Sequence, residues 1–316
     1  MYTISKIAKQ FSLKEPELRQ YITESGIPVG KSGFISQKYE QMALSLATDI
    51  AGPVKLKPET RVEAFLSSDM KIKIFKDDVL SFLSKLPNNS IDIIATDPAY
   101  SGMNNKLMLG KGRIVGSYSS KGDSDSKWFT EFVDSEDNYN RFLTECVRVL
   151  KKDTGHIYIM FDSYSLLSLG PLLRKYLDVK NIITWDKVNL GMGYYFRRRH
   201  EYIVFSTSGN NRKLNSQKFP DVWRIKRIHN AKYPTQKPTE IFQTMLDASA
   251  RPDMVVCDPF LGSGSCAIAA LKAGCKFVGT DISQKAFDIS KNRIQHYIEN
   301  GVDILQRLSG VDNGDA

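Results

Sequence analysis

The residues of this sequence that could do chemistry are carboxylates that close apolar runs. Asp97 follows the run IDIIA (91–95) and is itself followed by Pro98, Ala99 and Tyr100. Proline has no backbone N–H to give to a ladder, so Pro98 belongs just past a strand and not within a sheet. That puts Asp97 at the carboxyl edge of a strand, where open α/β sheets take their ligands, with an aromatic ring three residues on. A turn that merely opens a loop has a similar composition, so the rest of the chain must decide.

A second constellation lies in VVCDPFLGSGSCAIAALKAGCKFVGTDIS. An apolar run ends on Asp258; Phe260, Gly262, Ser263 and Gly264 follow, and then a helical pattern begins. Glycines there let the backbone approach a ligand at a helix N-terminus. The next apolar run ends on Asp281, an acid placed to take both hydroxyls of a ribose. The turn is not the dinucleotide fingerprint GxGxxG, and a carboxylate at Asp258 would repel a pyrophosphate. Both points favour a nucleoside with a cationic, unphosphorylated tail, which is S-adenosyl-L-methionine. Phe260 is expected to pack near its adenine or its methionine portion.

Positive charge gathers in FRRRHE (196–201) and RIKRIHNAK (224–232), in a chain of formal net charge +9. Arg197, Arg198, Arg199, Arg224 and Arg227 are the candidate contacts to a polyanion. Cys146, Cys257, Cys266 and Cys275 form no CxxC pair, and the four histidines are scattered; neither set makes a metal motif. No apolar run reaches the ~20 residues of a membrane span, and the opening MYTISKIAKQ lacks the apolar core of a secretory signal. A cytoplasmic protein is expected.

The elements that must carry these residues follow from periodicity. Residues 1–52 read as a small helical, helix-turn-helix-like DNA-binding unit of the kind that opens MerR-like regulators, with a third helical stretch over 37–50; the alternative is a helical cap on the main domain. Residues 53–69 read as a linker and 301–316 as a tail. Over 70–300, short apolar runs such as KIKIF, IDIIA, GHIYIMF, VVCD and KFVGTD alternate with amphipathic helical stretches. That alternation predicts an α/β fold: a mostly parallel sheet covered by helices on both faces. Residues 101–138 are a polar insertion, and 206–232 are the candidate target-recognition segment.

Three motifs in order, TDPAY (96–100), YPTQKPTE (233–240) and CDPFLGSGS (257–265), resemble those of amino-group DNA methyltransferases. Catalytic tetrapeptide first and cofactor loop last is the β-class order, and the likeness runs over about residues 70–298. The resemblance implies a Rossmann-like methyltransferase sheet, S-adenosyl-L-methionine as donor, and a base flipped out of double-stranded DNA. It implies that the Asp97 side chain and the Pro98 carbonyl accept from the target amine while Tyr100 stacks on the base. It further implies Asp78 near the cofactor adenine, and Thr235 and Lys237 at the methionine end. The family usually has a second proline where this chain has Ala99; alanine removes neither acceptor but leaves the loop less rigid. The leading acid points to adenine N6, with cytosine N4 as the alternative. From another class, a DNA-binding regulator with a degenerate methyltransferase fold stays open, as does a homodimer.

Overall fold

The computed structural model describes residues 2–11, 14–30, 32–36, 39, 43, 46, 62–98, 135–191, 195–228, 231, 233 and 236–305. The chain divides into two units, 1–61 and 62–316.

In the first unit, β1 (Tyr2–Thr3) pairs antiparallel with β2 (Phe34–Ile35) around α1 (Ile4–Phe11) and α2 (Glu15–Glu24). Pro16 lies in the first turn of α2, where its missing N–H has no helical partner to lose. Ile4, Ile7, Leu18, Ile22, Ile27, Ile35 and Ala43 form a small core. Of the third helical stretch expected over 37–50, only Tyr39, Ala43 and Leu46 are among the described residues.

The second unit is built on a nine-stranded sheet. Its elements are β3 (Glu63–Leu66), β4 (Ile72–Lys76), α3 (Val79–Lys85), β5 (Ile93–Thr96), α4 (Glu136–Val149), β6 (His156–Phe161), α5 (Ser163–Leu173), β7 (Asp178–Asp186), β8 (His200–Thr207), β9 (Val222–Arg224), α6 (Thr239–Ser249), β10 (Val255–Asp258), α7 (Ser265–Lys272), β11 (Lys276–Asp281) and α8 (Gln284–Asn300). The spatial order is β3-β4-β11-β10-β5-β6-β8-β7-β9, with β3 and β8 antiparallel to their neighbours. The middle strands are the most apolar because both faces are covered: every residue of β5 and β6 is buried. Two cores lie on the two faces of the sheet, one including Ile93, Met160 and Ile268, the other Ile94, Phe142 and Val278.

Several sequence expectations change here. The linker ends earlier than residue 69, because Glu63–Leu66 pair antiparallel with β4 as an edge strand. The run is too short and exposed for its pattern to be seen. The candidate target-recognition segment 206–232 is tied to the sheet at several points. Ser206 and Thr207 finish β8, Arg212 donates to the carbonyls of Asp92, Thr154 and Ser249, and Val222–Arg224 add a strand to the sheet. The tail starts later than residue 301, since Asp303 is buried against Arg293. The insertion reaches into α4, whose first turn holds Glu136 and Asp137; residues 101–134 lie outside the described residues.

Arg293, on α8, is fully buried. It forks onto Asp303 at 2.8 Å to each oxygen and donates to the Ser263 carbonyl, Ser265 Oγ and Thr239 Oγ1 at 2.8–3.0 Å. One guanidinium thus ties α8, α6 and the glycine turn together. Breaking a buried pair from one side costs about 3–5 kcal/mol. Arg293→Met is expected to lower unfolding stability by about that amount in urea titration. Arg293→Lys is expected to restore little of it, because an ammonium cannot fork.

Candidate active site

β5 and β10 are neighbours, yet the chain leaves them in opposite directions: β5 leads through α4 to β6, β10 through α7 to β11. The divergence opens a crevice at their carboxyl ends, the usual ligand position in such sheets. An acid stands at or just past six strand ends along this edge: Asp77, Asp281, Asp258, Asp97, Asp162 and Asp186, for β4, β11, β10, β5, β6 and β7. A rim of carboxylates suits a cationic ligand.

Asp97 is the first residue after β5, its side chain about a quarter exposed. Its Oδ2 accepts from Lys237 Nζ at 2.5 Å. The same ammonium lies 3.6 Å from Glu201 Oε2, and Glu201 Oε1 accepts from Lys187 Nζ at 3.0 Å. The result is an alternating row, Asp97–Lys237–Glu201–Lys187. The Lys237 backbone is fixed by Ser265 Oγ, which donates to its carbonyl at 2.7 Å. Burial raises the Asp97 pKa, and the Lys237 charge only partly offsets it, with Glu201 pushing the same way as burial. Burial also opposes charge on Glu201, but Lys237 and Lys187 outweigh it and hold that carboxyl low. Lys237, desolvated yet flanked by two carboxylates, keeps its proton well above the usual lysine range. Asp97 is therefore the group in the row whose charge is least secure.

The glycine turn is arranged around Asp281. Its Oδ2 accepts from Gly262 N and its Oδ1 from Ser283 N, each at 2.9 Å. Each carboxylate oxygen has a second lone pair, so a ribose hydroxyl can still be accepted. Gly262 (φ +51°) and Gly264 (φ +81°) are left-handed, and a Cβ on Gly264 would stand 3.1 Å from Ser290 Cβ. Gly264→Ala is expected to cost about 1–2 kcal/mol from backbone strain alone. It should weaken cofactor binding, read by calorimetry beside thermal melting.

The other expected contacts are distributed unevenly. Phe260 is half-buried at the crevice, edge-on to Phe142 with centroids 5.6 Å apart. Asp78 caps α3, accepting from Leu80 N and Ser81 N. Pro98 is buried beside Asp97. Asp258 corrects an expectation: it is 1% exposed, accepts from Thr96 Oγ1 at 2.7 Å and Phe260 N at 3.1 Å, and clamps the two diverging strands. Burial raises its pKa to about 7, so it is not the fixed charge facing the ligand that its position in sequence suggested. Ser263 is likewise turned inward, toward Arg293. Ala99, Tyr100 and Thr235 lie outside the described residues.

Among the arginines, Arg199 forks onto Asp186 at 2.6 and 2.7 Å and supports the loop. Arg197 is exposed and donates to the Gly191 carbonyl. Arg198 lies 5.2 Å from the Tyr164 ring centre, and Arg224 reaches Asp186 at 3.7 Å while staying largely exposed. Arg227 is exposed.

Glu201 and Lys187 were missed in the sequence. A glutamate opening the apolar strand HEYIVFST is the signal that could have found the first. Gln236 was missed too: it is 8% exposed, and its side-chain amide has no hydrogen-bond partner among the described residues. A buried amide beside Lys237 in that condition fits a site completed by a ligand.

An α/β crevice with an acid–lysine pair at its mouth is the candidate active site, and comparison with known proteins gives the family. A model of the DNA methylase family matches residues 91–292. The chain belongs to this N6/N4 DNA methylase family. It is 29% identical over 249 residues to the type II methyltransferase M2.MboI of Moraxella bovis, covering 72% of this chain and 89% of that protein. It is 29% identical over 270 residues to M.HinfI of Haemophilus influenzae, covering 75% and 72%. In structure it resembles M1.HpyAVI, solved with S-adenosylmethionine, at a TM-score of 0.51 and 19% identity, over 70% of this chain and 99% of that one. A DNA modification methylase of Thermus thermophilus is alike at 0.51 and 18%, over 72% and 95%. The Rossmann-like methyltransferase architecture is thus shared. No helix among the described residues is long and apolar enough to cross a membrane.

Proposed function

We propose that the protein is a site-specific DNA methyltransferase acting on the exocyclic N6 amine of an adenine turned out of double-stranded DNA, with S-adenosyl-L-methionine as donor. The observation that carries this reading is Asp97, held by Lys237 at the mouth of a crevice whose other end is built from the glycine turn and Asp281. S-adenosyl-L-methionine supplies a methyl group on a cationic sulfonium. Phe260, Gly262, Gly264, Asp281 and Asp78 would hold its adenosine half, and Lys237, with Thr235 outside the described residues, would meet its methionine end.

The amine of adenine is a poor nucleophile because its lone pair is delocalised into the ring. Two acceptors aimed at its hydrogens draw it toward a tetrahedral form. Lys237 occupies Asp97 Oδ2, so Oδ1 and the Pro98 carbonyl are the acceptors presented to it. Tyr100 stacks on the extruded base. With its pKa raised by burial, Asp97 is suited to receive the proton that the methylated amine sheds. No covalent enzyme intermediate is needed, and the work is orientation and electrostatics. Arg197, Arg198, Arg224 and Arg227 hold phosphates, and the N-terminal unit adds DNA affinity. The same reading takes the enzyme to be cytoplasmic, with a homodimer as its candidate assembly.

The fold does not choose the base, since PvuII methyltransferase, which is cytosine-N4-specific, has the same architecture at a TM-score of 0.50 and 12% identity. The leading acid Asp97 is what favours adenine. Genomic DNA from a host expressing the protein would be digested to nucleosides and analysed by mass spectrometry. N6-methyladenine at one sequence is expected; N4-methylcytosine would move the activity to the other base, and no new methylated base would refute the enzyme reading.

A further inference from the structure

Tyr195 and Phe196 are 95% and 104% exposed, consecutive large rings that pack on nothing in the described protein. They stand on the arm that joins β7 to β8. Its base is stiff: Lys187 N donates to Arg199 O, Gly191 N to Arg198 O, and Arg199 forks onto Asp186. Two rings held in water on a braced arm have no stabilising role in the free protein.

The sheet fixes where the arm lies. β7 ends and β8 begins at the same edge as Asp97, and β8 is two strands from β5. At ~4.8 Å per strand the root of the arm stands about 10 Å to the side of the catalytic carboxylate. It lies on the side away from Asp258, Asp281 and Asp78. Glu201, five residues after Phe196, joins the arm to Asp97 through Lys237. Arg197 and Arg198 follow the rings directly and bring positive charge beside them.

We propose that this arm opens the DNA, Phe196 entering the stack at the step the target base leaves and Tyr195 packing on the neighbouring nucleotide. An aromatic face there replaces the stacking lost on extrusion, and the arginines meet the adjoining phosphates. The inference rests on the proposed methylation of a flipped base in a duplex.

The test compares the wild type with Phe196→Ala and Phe196→Trp on a duplex bearing the methylation site and on its single target strand. A 2-aminopurine at the target reports extrusion, and tritium transfer reports turnover. Phe196→Ala is expected to lose about tenfold in kcat/KM on the duplex, roughly the stacking of one base, and most of the fluorescence rise. On the single strand it should stay within about twofold of wild type, and Phe196→Trp should retain duplex activity. Cofactor affinity should be unchanged. Equal losses on both substrates, or none on the duplex, would overturn the role while leaving the methyltransferase reading in place. A wild type that methylates no DNA would remove both.

Discussion

Asp97→Ala is expected to abolish methyl transfer, with turnover falling by about a thousandfold or more, the upper range for removing one group that stabilises developing charge. Cofactor affinity should survive, because Asp97 faces the amine and the cofactor half is carried by the glycine turn and Asp281. The lost acceptor is Oδ1, and the loss also frees Lys237 to turn fully to Glu201. Asp97→Asn keeps the shape and an acceptor but not the charge, so it should fall between alanine and wild type. The pH profile of the wild type checks the same assignment. Asp97 works ionised, and burial raises its pKa. Activity should therefore fall on the acid side at a pH above that of an ordinary carboxylate. Single-turnover tritium transfer beside calorimetry separates the effects; near-normal turnover in the alanine variant would sink the role.

Lys237→Met should have the next largest effect, of a different kind. It leaves the Asp97 and Glu201 carboxylates, each about a quarter exposed, facing each other across a site without its ammonium. The sign of the change follows from the charge removed. Lys237 is the main influence lowering the Asp97 pKa, so without it that pKa rises further and the acid limb moves to higher pH. At neutral pH activity should drop by about 10–100-fold, and part should return as pH rises. Stability should fall by about 2–3 kcal/mol, less than the ~3–5 kcal/mol of a fully buried pair because the partners keep some solvent. That corresponds to a melting temperature lower by roughly 5–10 °C. A profile that loses height without shifting along the pH axis would show that Lys237 does not act through Asp97.

Much of the site was legible in the sequence because it sits where strands end. An apolar run closed by Asp97–Pro98, and another closed by Asp258 and two glycines, mark strand termini by chain chemistry alone. The carboxyl edge of an α/β sheet then follows from topology. Local pattern also marked the central apolar strands and their alternation with helices. Edge strands escaped. Glu63–Leu66 and Val222–Arg224 are short and half-exposed, so no burial pattern is written into them.

What only the tertiary structure decided was which way the charged side chains turn and whom they meet. Asp258 and Asp281 end neighbouring strands in the same manner, yet one is buried against Thr96 and the other braces the glycine turn. Glu201 lies 36 positions from Lys237, and Lys237 lies 140 from Asp97, so nothing local foretells that they share one charge row. Nothing in the long charged helix around Arg293 foretells that it is fully buried. The reason is physical: strand ends and turns are set by backbone sterics and burial over a few residues. The pairing and pKa of a charge depend on the low-dielectric surroundings that distant segments create when the sheet closes around it.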